Sequence, residues 1–262
     1  MSFKHITSRD NSVFKHLKKL AENKRERNKE GKTLLDGVHL IEGYLQAFGE
    51  PELLIIPEGK SSQEAVALIQ GLADVNTVMF PTLLFAELTP VASSAGILAL
   101  VKPPTVEIPK QVSFALMLED IQDPGNLGSI LRTAEAAGIN SVYLSKTSAE
   151  LWSPKTLRGS QGAQVNLKCY QNQELLSLCD QISLPIYSLS ICGNSLYDDD
   201  MPEDLILILG SEGGGINAEI ISKSTKSISI PMQGSIESLN VGAAAGIFIY
   251  EYFRRYRSNI MG

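Results

Sequence analysis

Residues 119–138 read EDIQDPGNLGSILRTAEAAG, and this stretch indicates a turn and a helix that follow a buried strand. The apolar run 112–118 directly before it is typical of a strand covered on both faces. The DPG sequence at 123–125 has turn composition, after which Asn126 is predicted to cap the helix by accepting a backbone N–H. Gly138 is expected to end that helix, because glycine takes the left-handed conformation at little cost. The stretch therefore predicts one strand–helix step of an α/β sheet.

This helix carries one arginine, Arg132, at a position where packing does not need it. The apolar residues fall on a single stripe at helical spacing, namely Leu127, Ile130, Leu131, Ala134 and Ala137. At about 100° per residue, Arg132 points roughly opposite to that stripe. We therefore predict that its guanidinium is offered to a group outside the sheet.

The composition of the 262-residue chain is that of an ordinary globular protein, with room for one large or two modest domains. The three cysteines form no CxxC pair, which favours a reducing compartment and hence a cytoplasmic location. Cysteines and histidines lack metal-ligand spacing, so no metal site is predicted. The N-terminus has no apolar signal segment, and the apolar run 241–250 is shorter than the ~20 residues of a membrane span, so no membrane partner is expected.

The charge distribution is uneven along the chain. The net charge is −6, yet residues 1–32 contain ten Lys or Arg against four Asp or Glu, so that segment is basic and the remainder is strongly acidic. A basic segment on an acidic body can bind a polyanion such as RNA locally. The same pattern is also typical of a solvated, lysine-rich helix, and both interpretations stay open at this point.

Alternating strand and helix patterns predict two α/β domains. Prolines in the segment 103–110 indicate a stiff linker between a first domain, 1–102, and a second domain, 111–262. The first is predicted to hold helices at 12–28, 38–48 and 61–72 and strands at 33–36, 53–57, 76–80 and 96–101. The second is predicted to be a parallel sheet with helices on both faces. Its predicted strands are 112–118, 141–144, 165–169, 186–191, 205–209 and 227–231, and its last helix is 239–256.

Two further stretches carry candidate binding residues. The buried strand 205–209 runs into GSEGGG at 210–215, where glycines allow close approach of a ligand at the carboxyl end of a strand. This loop matches no phosphate-binding motif, and Glu212 would repel phosphate, so it favours a neutral or cationic ligand. Downstream, Ser238-Leu239-Asn240 precedes a helix that begins with small residues, which are typical of close packing.

Together these segments resemble the three motifs of the SpoU (TrmH) family of RNA 2′-O-ribose methyltransferases in the SPOUT superfamily. Asn126 and Arg132 with TAE at 133–135 are similar to motif one, and LGSEG at 209–213 is similar to motif two. IPM at 230–232, followed by SLN at 238–240, is similar to motif three. The resemblance spans residues 112–256, and the N-terminal part resembles more loosely the L30-like substrate-binding domain of the family.

The resemblance implies a fold, a cofactor and partners. It implies a C-terminal trefoil knot that binds S-adenosylmethionine, a homodimer formed through the SPOUT domain, and RNA as substrate. The segment 152–163 also resembles a family segment on the RNA side. By position, the cofactor-binding residues would be Leu209, Gly210, Ile230, Met232 and Leu239. The catalytic residues would be Arg132, Asn126, Glu212, Ser238 and Asn240.

The expected reaction moves a methyl group from a sulfonium to a ribose 2′-oxygen. Because arginine barely loses its proton, we expect Arg132 to bind the adjacent phosphate and the developing alkoxide rather than act as a free base. Asn126, Glu212, Ser238 and Asn240 would orient it or relay the proton. Ribosomal RNA (23S) is the favoured target. The alternatives are a tRNA 2′-O-methyltransferase, a catalytically silent RNA-binding SPOUT protein, a base-methylating relative and a nucleotide-dependent oxidoreductase.

Overall fold

The computed structural model describes residues 3–59, 61–89, 94–109, 112–139, 141–211 and 213–256. The strands are β1 (Lys4–His5), β2 (Thr33–Asp36), β3 (Leu53–Pro57), β4 (Thr77–Phe80), β5 (Leu98–Val101), β6 (Phe114–Leu118), β7 (Ser141–Ser145), β8 (Lys168–Gln173), β9 (Ile186–Ser195), β10 (Leu205–Leu209) and β11 (Lys226–Ser229). The helices are α1 (Ser12–Glu22), α2 (Lys24–Glu30), α3 (Val38–Phe48), α4 (Gln63–Gly71), α5 (Thr82–Ala86), α6 (Pro124–Ala136), α7 (Pro154–Ser160), α8 (Leu175–Gln181), α9 (Ala218–Lys223) and α10 (Val241–Tyr256). Within the described ranges, no helix has both the length and the apolar character needed to cross a bilayer.

The chain divides into two compact units. The first comprises Met1–Thr105 with Trp152–Val165, and the second comprises Val106–Leu151 with Asn166–Gly262. The segment 152–165 differs from the sequence-based division, because it packs with the first unit. The hydroxyl of Thr33 in β2 donates to the carbonyl of Trp152 at 2.7 Å, and both residues are buried. The predicted linker and domain limits otherwise stay predictions.

The first unit has a mixed five-stranded sheet in the order β1-β4-β3-β5-β2. Its β1, β4 and β3 are parallel, while β5 runs antiparallel to both β3 and β2. The α/β character predicted for this part of the chain is confirmed. One side of the sheet is covered by buried residues of α1, including Phe14, Leu17 and Leu20.

The helix predicted over 12–28 is wrong in one respect, because it breaks at Asn23. Asn23 is extended, and its side chain accepts the backbone N–H of Arg25 at 2.8 Å, which starts α2 as a separate helix. The buried guanidinium of Arg27 donates to the carbonyls of Leu20 and Ala21 at 2.6 and 3.1 Å. These bonds satisfy the open end of α1 and so stabilise the break.

The second unit has a six-stranded sheet in the order β11-β9-β10-β6-β7-β8, and every pairing is parallel. Every residue of β6 and β10, at the centre of this sheet, is buried. The parallel sheet predicted from the continuous apolar runs is therefore confirmed. The trefoil knot that the resemblance implies stays a prediction.

Five of the six strands of this unit differ from their predicted limits, and the largest differences are in β8 and β9. A 3₁₀ turn occupies Ala163–Val165, and β8 begins only at Lys168. The strand predicted over 186–191 extends to Ser195, but its pairing with β11 shifts register, so that Ser227 faces Ser188 and Ile228 faces Asn194. The residues between these partners bulge out of the ladder.

Candidate functional site

The glycine-rich loop after β10 is closed by a pair of backbone hydrogen bonds. The N–H of Ser211 donates to the carbonyl of Gly215 at 3.1 Å, and the N–H of Gly215 donates to the carbonyl of Ser211 at 2.9 Å. A Cβ at Gly210 would lie 2.2 Å from the carbonyl carbon and oxygen of Gly215. Only glycine therefore fits at the point where the strand enters this loop.

This loop forms one wall of a cavity of about 510 Å³ in the second unit. The segment after β11 and the start of α10 form another wall. All five residues predicted to bind the cofactor line the cavity, together with Ser238 of the predicted catalytic set: Leu209, Gly210, Ile230, Met232, Leu239 and Ser238. A cavity of this volume is of the size that holds a nucleotide-sized ligand.

The cavity lining fits a ligand that is part apolar and part cationic. Aliphatic side chains supply most of its walls, and among its described lining residues Glu237 is the one ionisable group. S-adenosylmethionine combines a flat adenine with a sulfonium and an ammonium, so an apolar wall with a carboxylate at its rim matches its chemistry. Met232 and Leu239 are 39% and 38% exposed, which leaves the cavity open to an entering ligand.

Among the lining residues that the sequence-based prediction missed, Leu189, Ser190 and Ile191 come from a strand that it did not connect with the site. They belong to the bulged part of β9, where the ladder with β11 is interrupted. A Cβ at Gly193 would lie 2.6 Å from the carbonyl oxygen of Ser227, so the strands approach closely at the end of the bulge. A glycine inside an apolar strand pattern is the signal that could have indicated it.

Arg132 lies on α6 and is exposed, as predicted, while the apolar stripe of its helix is buried. Within the described ranges, no carboxylate forms an ion pair with its guanidinium. Arg132 does not line the cavity. The side chain is therefore available to a ligand that approaches from outside the sheet.

The prediction that Asn126 caps α6 is wrong, because Asp123 does so. The Asp123 carboxylate accepts the backbone N–H of Asn126 at 2.8 Å, and Pro124 occupies the first turn with its φ already fixed. The side chain of Asn126 instead accepts a hydrogen bond at 2.9 Å from the side-chain amide of Asn240. The first and third motifs are thus directly bonded.

Asn240 also caps the last helix. Its side-chain oxygen accepts the backbone N–H groups of Gly242 and Ala243 at 2.9 and 3.2 Å, which satisfies open donors at the start of α10. A Cβ at Gly242 would lie 3.4 Å from the Ser129 hydroxyl on α6. The small residues of α10 therefore allow it to pack closely on the helix that carries Arg132.

The structure thus places eight of the ten predicted residues in two neighbouring groups within one unit, and Arg132 belongs to neither group. Six of them line the cavity, and Asn126 and Asn240 are bonded to each other between α6 and α10. Glu212 lies outside the described residues.

Comparison with known proteins accords with this geometry. Residues 113–250 match the SpoU rRNA Methylase family, and residues 11–99 match the MRM3-like substrate binding domain. The 23S rRNA (guanosine(2553)-2′-O)-methyltransferase RlmP of Bacillus subtilis is 31% identical over 94% of this chain and 98% of its own length.

Two solved structures share the fold over nearly the whole chain. An RNA 2′-O ribose methyltransferase superimposes with a TM-score of 0.83 and 28% identity, covering 96% of this chain and 98% of its own. The second is the SpoU methyltransferase AviRb from Streptomyces viridochromogenes in complex with the cofactor AdoMet. It superimposes with a TM-score of 0.82 and 25% identity, covering 96% of this chain and 100% of its own. The chain therefore belongs to the SpoU rRNA methylase family, the RNA 2′-O-ribose methyltransferases that use S-adenosylmethionine.

Proposed function

We propose that this enzyme methylates a ribose 2′-hydroxyl of 23S ribosomal RNA. The observation that carries the proposal is the meeting of the second and third motifs around one cavity, beside a helix pair that presents Arg132. Support for the target comes from the Bacillus subtilis relative, whose name assigns it a 23S rRNA guanosine and which aligns over 94% of this chain.

In this proposal, the cavity residues hold S-adenosylmethionine. The apolar side chains of Ile230, Met232 and Leu239 would cover the adenine, and Gly210 would let the backbone approach it. When bound, the cofactor supplies an electrophilic methyl group on a sulfonium. Holding acceptor and donor in one geometry contributes about 7–11 kcal/mol to lowering such a barrier.

Arg132 has the role of binding the substrate and stabilising charge. Its planar fork can contact the phosphate next to the target ribose and the oxygen that becomes an alkoxide. Asn126 and Asn240 lie on the two helices that meet beside it, and the bond between them fixes the spacing of those helices. Ser238 and Glu212 stay candidates for orienting the hydroxyl or relaying its proton.

The proposed assembly is a homodimer formed through the second unit. The outer face of α10 carries Tyr250, which is 49% exposed, beside the ring of Phe253 at 5.7 Å between centroids. Tyr250 is exposed and Phe253 is partly buried, and an aromatic surface of this kind on the final helix suits a contact with a second copy. Light scattering of the purified protein measures its mass, and a monomer that is fully active contradicts the dimer.

A cytoplasmic location also stays a prediction, supported by the unpaired thiols of Cys169 and Cys179.

The decisive experiment is methylation of RNA transcripts with labelled S-adenosylmethionine. Transcripts of 23S rRNA domains and of bulk tRNA serve as parallel substrates, and mass-spectrometric mapping identifies the modified ribose. Label on a 23S ribose supports the proposal, whereas label only on tRNA, or only on a base, contradicts it. Cofactor binding by calorimetry without any transfer indicates the silent RNA-binding alternative.

A further inference from the structure

A second cavity, of about 680 Å³, lies entirely within the first unit and shares no residue with the cofactor cavity. Residues of β2, of the first turn of α3 and of α7 line it. Its polar lining includes Asp36, Arg158 and Gln161, and its apolar lining includes Leu34, Val38, Ala95, Pro154 and Leu157. The methyl-transfer mechanism uses none of these residues.

Asp36 is the anchored polar group of this cavity. One of its carboxylate oxygens accepts a hydrogen bond from the hydroxyl of Thr89, and the other accepts one from the hydroxyl of Ser94 at 3.0 Å. Burial raises its pKa, and the two hydroxyls and the nearby Arg158 oppose that rise. Each carboxylate oxygen can accept two hydrogen bonds, and from the described residues each accepts one, which leaves a second position on each oxygen for a ligand donor.

Arg158 lines the same cavity and provides the complementary donors. It is exposed, and among the described residues it makes no ion pair, although it lies close enough to Asp36 to favour the charged carboxylate. The lining of the cavity therefore offers the two acceptors of Asp36 and the planar donor group of Arg158. Apolar side chains line the same cavity and suit a flat ring.

Guanine is the RNA base whose edge matches this arrangement. Its N1–H and N2–H are adjacent donors that can pair with both oxygens of a carboxylate, and its O6 and N7 accept from an arginine. Adenine, cytosine and uracil each present an acceptor next to their donor, which a carboxylate repels. Proteins that read RNA sequence commonly bind unpaired bases in this way.

We propose that this cavity binds an unpaired guanine of the RNA substrate, with Asp36 reading its N1–H and N2–H edge and Arg158 its O6 side. The proposal rests on RNA being the substrate. An RNA base is favoured over a free nucleotide, because Glu64 also lines the cavity and Arg158 is the one Lys or Arg among its described lining residues. Such a lining is a poor setting for several phosphates. The cavity falls mostly within the matched substrate-binding domain, 11–99.

The test measures binding of labelled pentanucleotides by fluorescence polarisation with the full chain. UUGUU, UUAUU and UUIUU differ at the central base, and inosine lacks only the N2 amino group. We expect guanine to bind about tenfold more tightly than adenine, with inosine losing most of that gain. Equal affinities for the three oligonucleotides, or GMP binding as tightly as UUGUU, overturn the proposal.

The variants assign the preference to the cavity. Asp36→Asn can keep its Thr89 and Ser94 partners but turns one acceptor into a donor, so it should abolish the difference between guanine and inosine. Asp74→Asn, an exposed acid of the same unit outside the cavity, should leave it unchanged. If Asp36→Asn unfolds, Arg158→Ala tests the O6 side from an exposed position, and it should reduce the preference of the cavity for guanine over adenine. A guanine preference that survives both cavity variants contradicts the proposal.

These results are separable from those on the methyl transfer. S-adenosylmethionine affinity, measured by calorimetry, should be the same in wild type and Asp36→Asn. An intact guanine preference without transfer to 23S RNA would overturn the proposed function alone. Normal transfer without any guanine preference would overturn this inference alone.

Discussion

The side-chain amide of Asn240 donates to the side-chain oxygen of Asn126 at 2.9 Å, and this single bond joins two motifs that are 114 residues apart. The side-chain oxygen of Asn240 caps α10. Asn240 therefore couples the residues that line the cofactor cavity to the helix that carries Arg132. Its two roles can be separated by substitution.

Asn240→Asp and Asn240→Ala should differ in stability but share a loss of activity. Aspartate keeps the cap, because its side-chain oxygen still accepts a hydrogen bond from the backbone N–H of Gly242. Alanine removes the cap and should lower the free energy of unfolding by about 1 kcal/mol. Both variants lose the N–H group that donates to Asn126. Aspartate in addition places a carboxylate oxygen against the side-chain oxygen of Asn126. Urea unfolding and single-turnover methylation measure the two effects. An active Asn240→Asp enzyme would show that the bond to Asn126 has no catalytic importance.

Arg132→Lys should reduce the rate of methyl transfer by about a hundredfold or more, because a point charge cannot hold phosphate and alkoxide in one plane. Cofactor affinity by calorimetry should be unchanged, since Arg132 does not line the cavity. Arg9→Lys, at an exposed arginine that pairs with Glu87, serves as the matched control and should retain its rate. A near-normal rate for Arg132→Lys would exclude the proposed role.

The glycine loop offers a sharper test of the cavity. Gly210→Ala would place its methyl group 2.2 Å from the backbone of Gly215, so the loop must open and cofactor affinity should fall by at least tenfold. Gly213→Ala is the matched control, because a Cβ there meets no atom within 4 Å. Calorimetric titration with S-adenosylmethionine distinguishes them. Equal affinities for the two variants would argue against cofactor binding at this loop.

Sequence patterns predicted the elements whose residues are buried together. The strand at 205–209 was predicted with its correct limits, because a continuous apolar run bounded by a glycine loop has one interpretation in a parallel sheet. The exposure of Arg132 followed from helical spacing in the same way. Both features depend on local periodicity alone.

The features that were predicted wrongly or missed depend on individual side chains. Some of these side chains lie far apart in sequence, and others compete for the same capping position. Asp123 and Asn126 are both good caps, and only the geometry at Pro124 decides between them. The break at Asn23 requires Arg27 to fold back on α1. The packing of Trp152 against Thr33 joins residues 119 positions apart, which no local pattern reports.

The C-terminal helix gives a pH-dependent prediction. Hydrogen bonds from Arg254, and then from Arg255, lower the pKa of Glu251 from its ordinary 4.5 to about 2. Because the folded-state pKa lies below the unfolded one, these bonds stabilise the fold fully above about pH 5, and the stabilisation is lost as pH falls from there towards 2. Arg255 also donates to the carbonyls of Asp199 and Leu196, so the ion pair holds the helix end to that loop.

Glu251→Gln should therefore lower the free energy of unfolding by about 2 kcal/mol at pH 7. The difference from wild type should shrink as the pH is lowered to 3. Glu203→Gln, an exposed acid of the same unit, should change stability little at either pH. Urea unfolding at both pH values measures this, and a difference independent of pH would exclude the carboxylate as its source.

The basic N-terminal segment is expected to contribute to RNA binding through α2 rather than α1. In α1, Lys15 pairs with Asp10 and Lys18 with Glu87, so much of that charge is neutralised within the chain. Lys24, Arg25 and Lys29 are exposed, and no ion pair to them is formed within the described ranges. These three positions therefore keep their charge for a polyanion.

Replacing Lys24, Arg25 and Lys29 by glutamine should weaken binding to a 23S transcript and make it less dependent on salt. Each lost phosphate contact reduces the slope of log affinity against log salt by about 0.7 to 0.9. The control replaces Lys15 and Lys18, which are already paired, and should change the slope less. Filter binding between low and moderate salt measures both slopes. If the slope falls by the same amount in both variants, paired and unpaired basic residues contribute equally to RNA binding. The segment would then act through its overall charge rather than through phosphate contacts of α2.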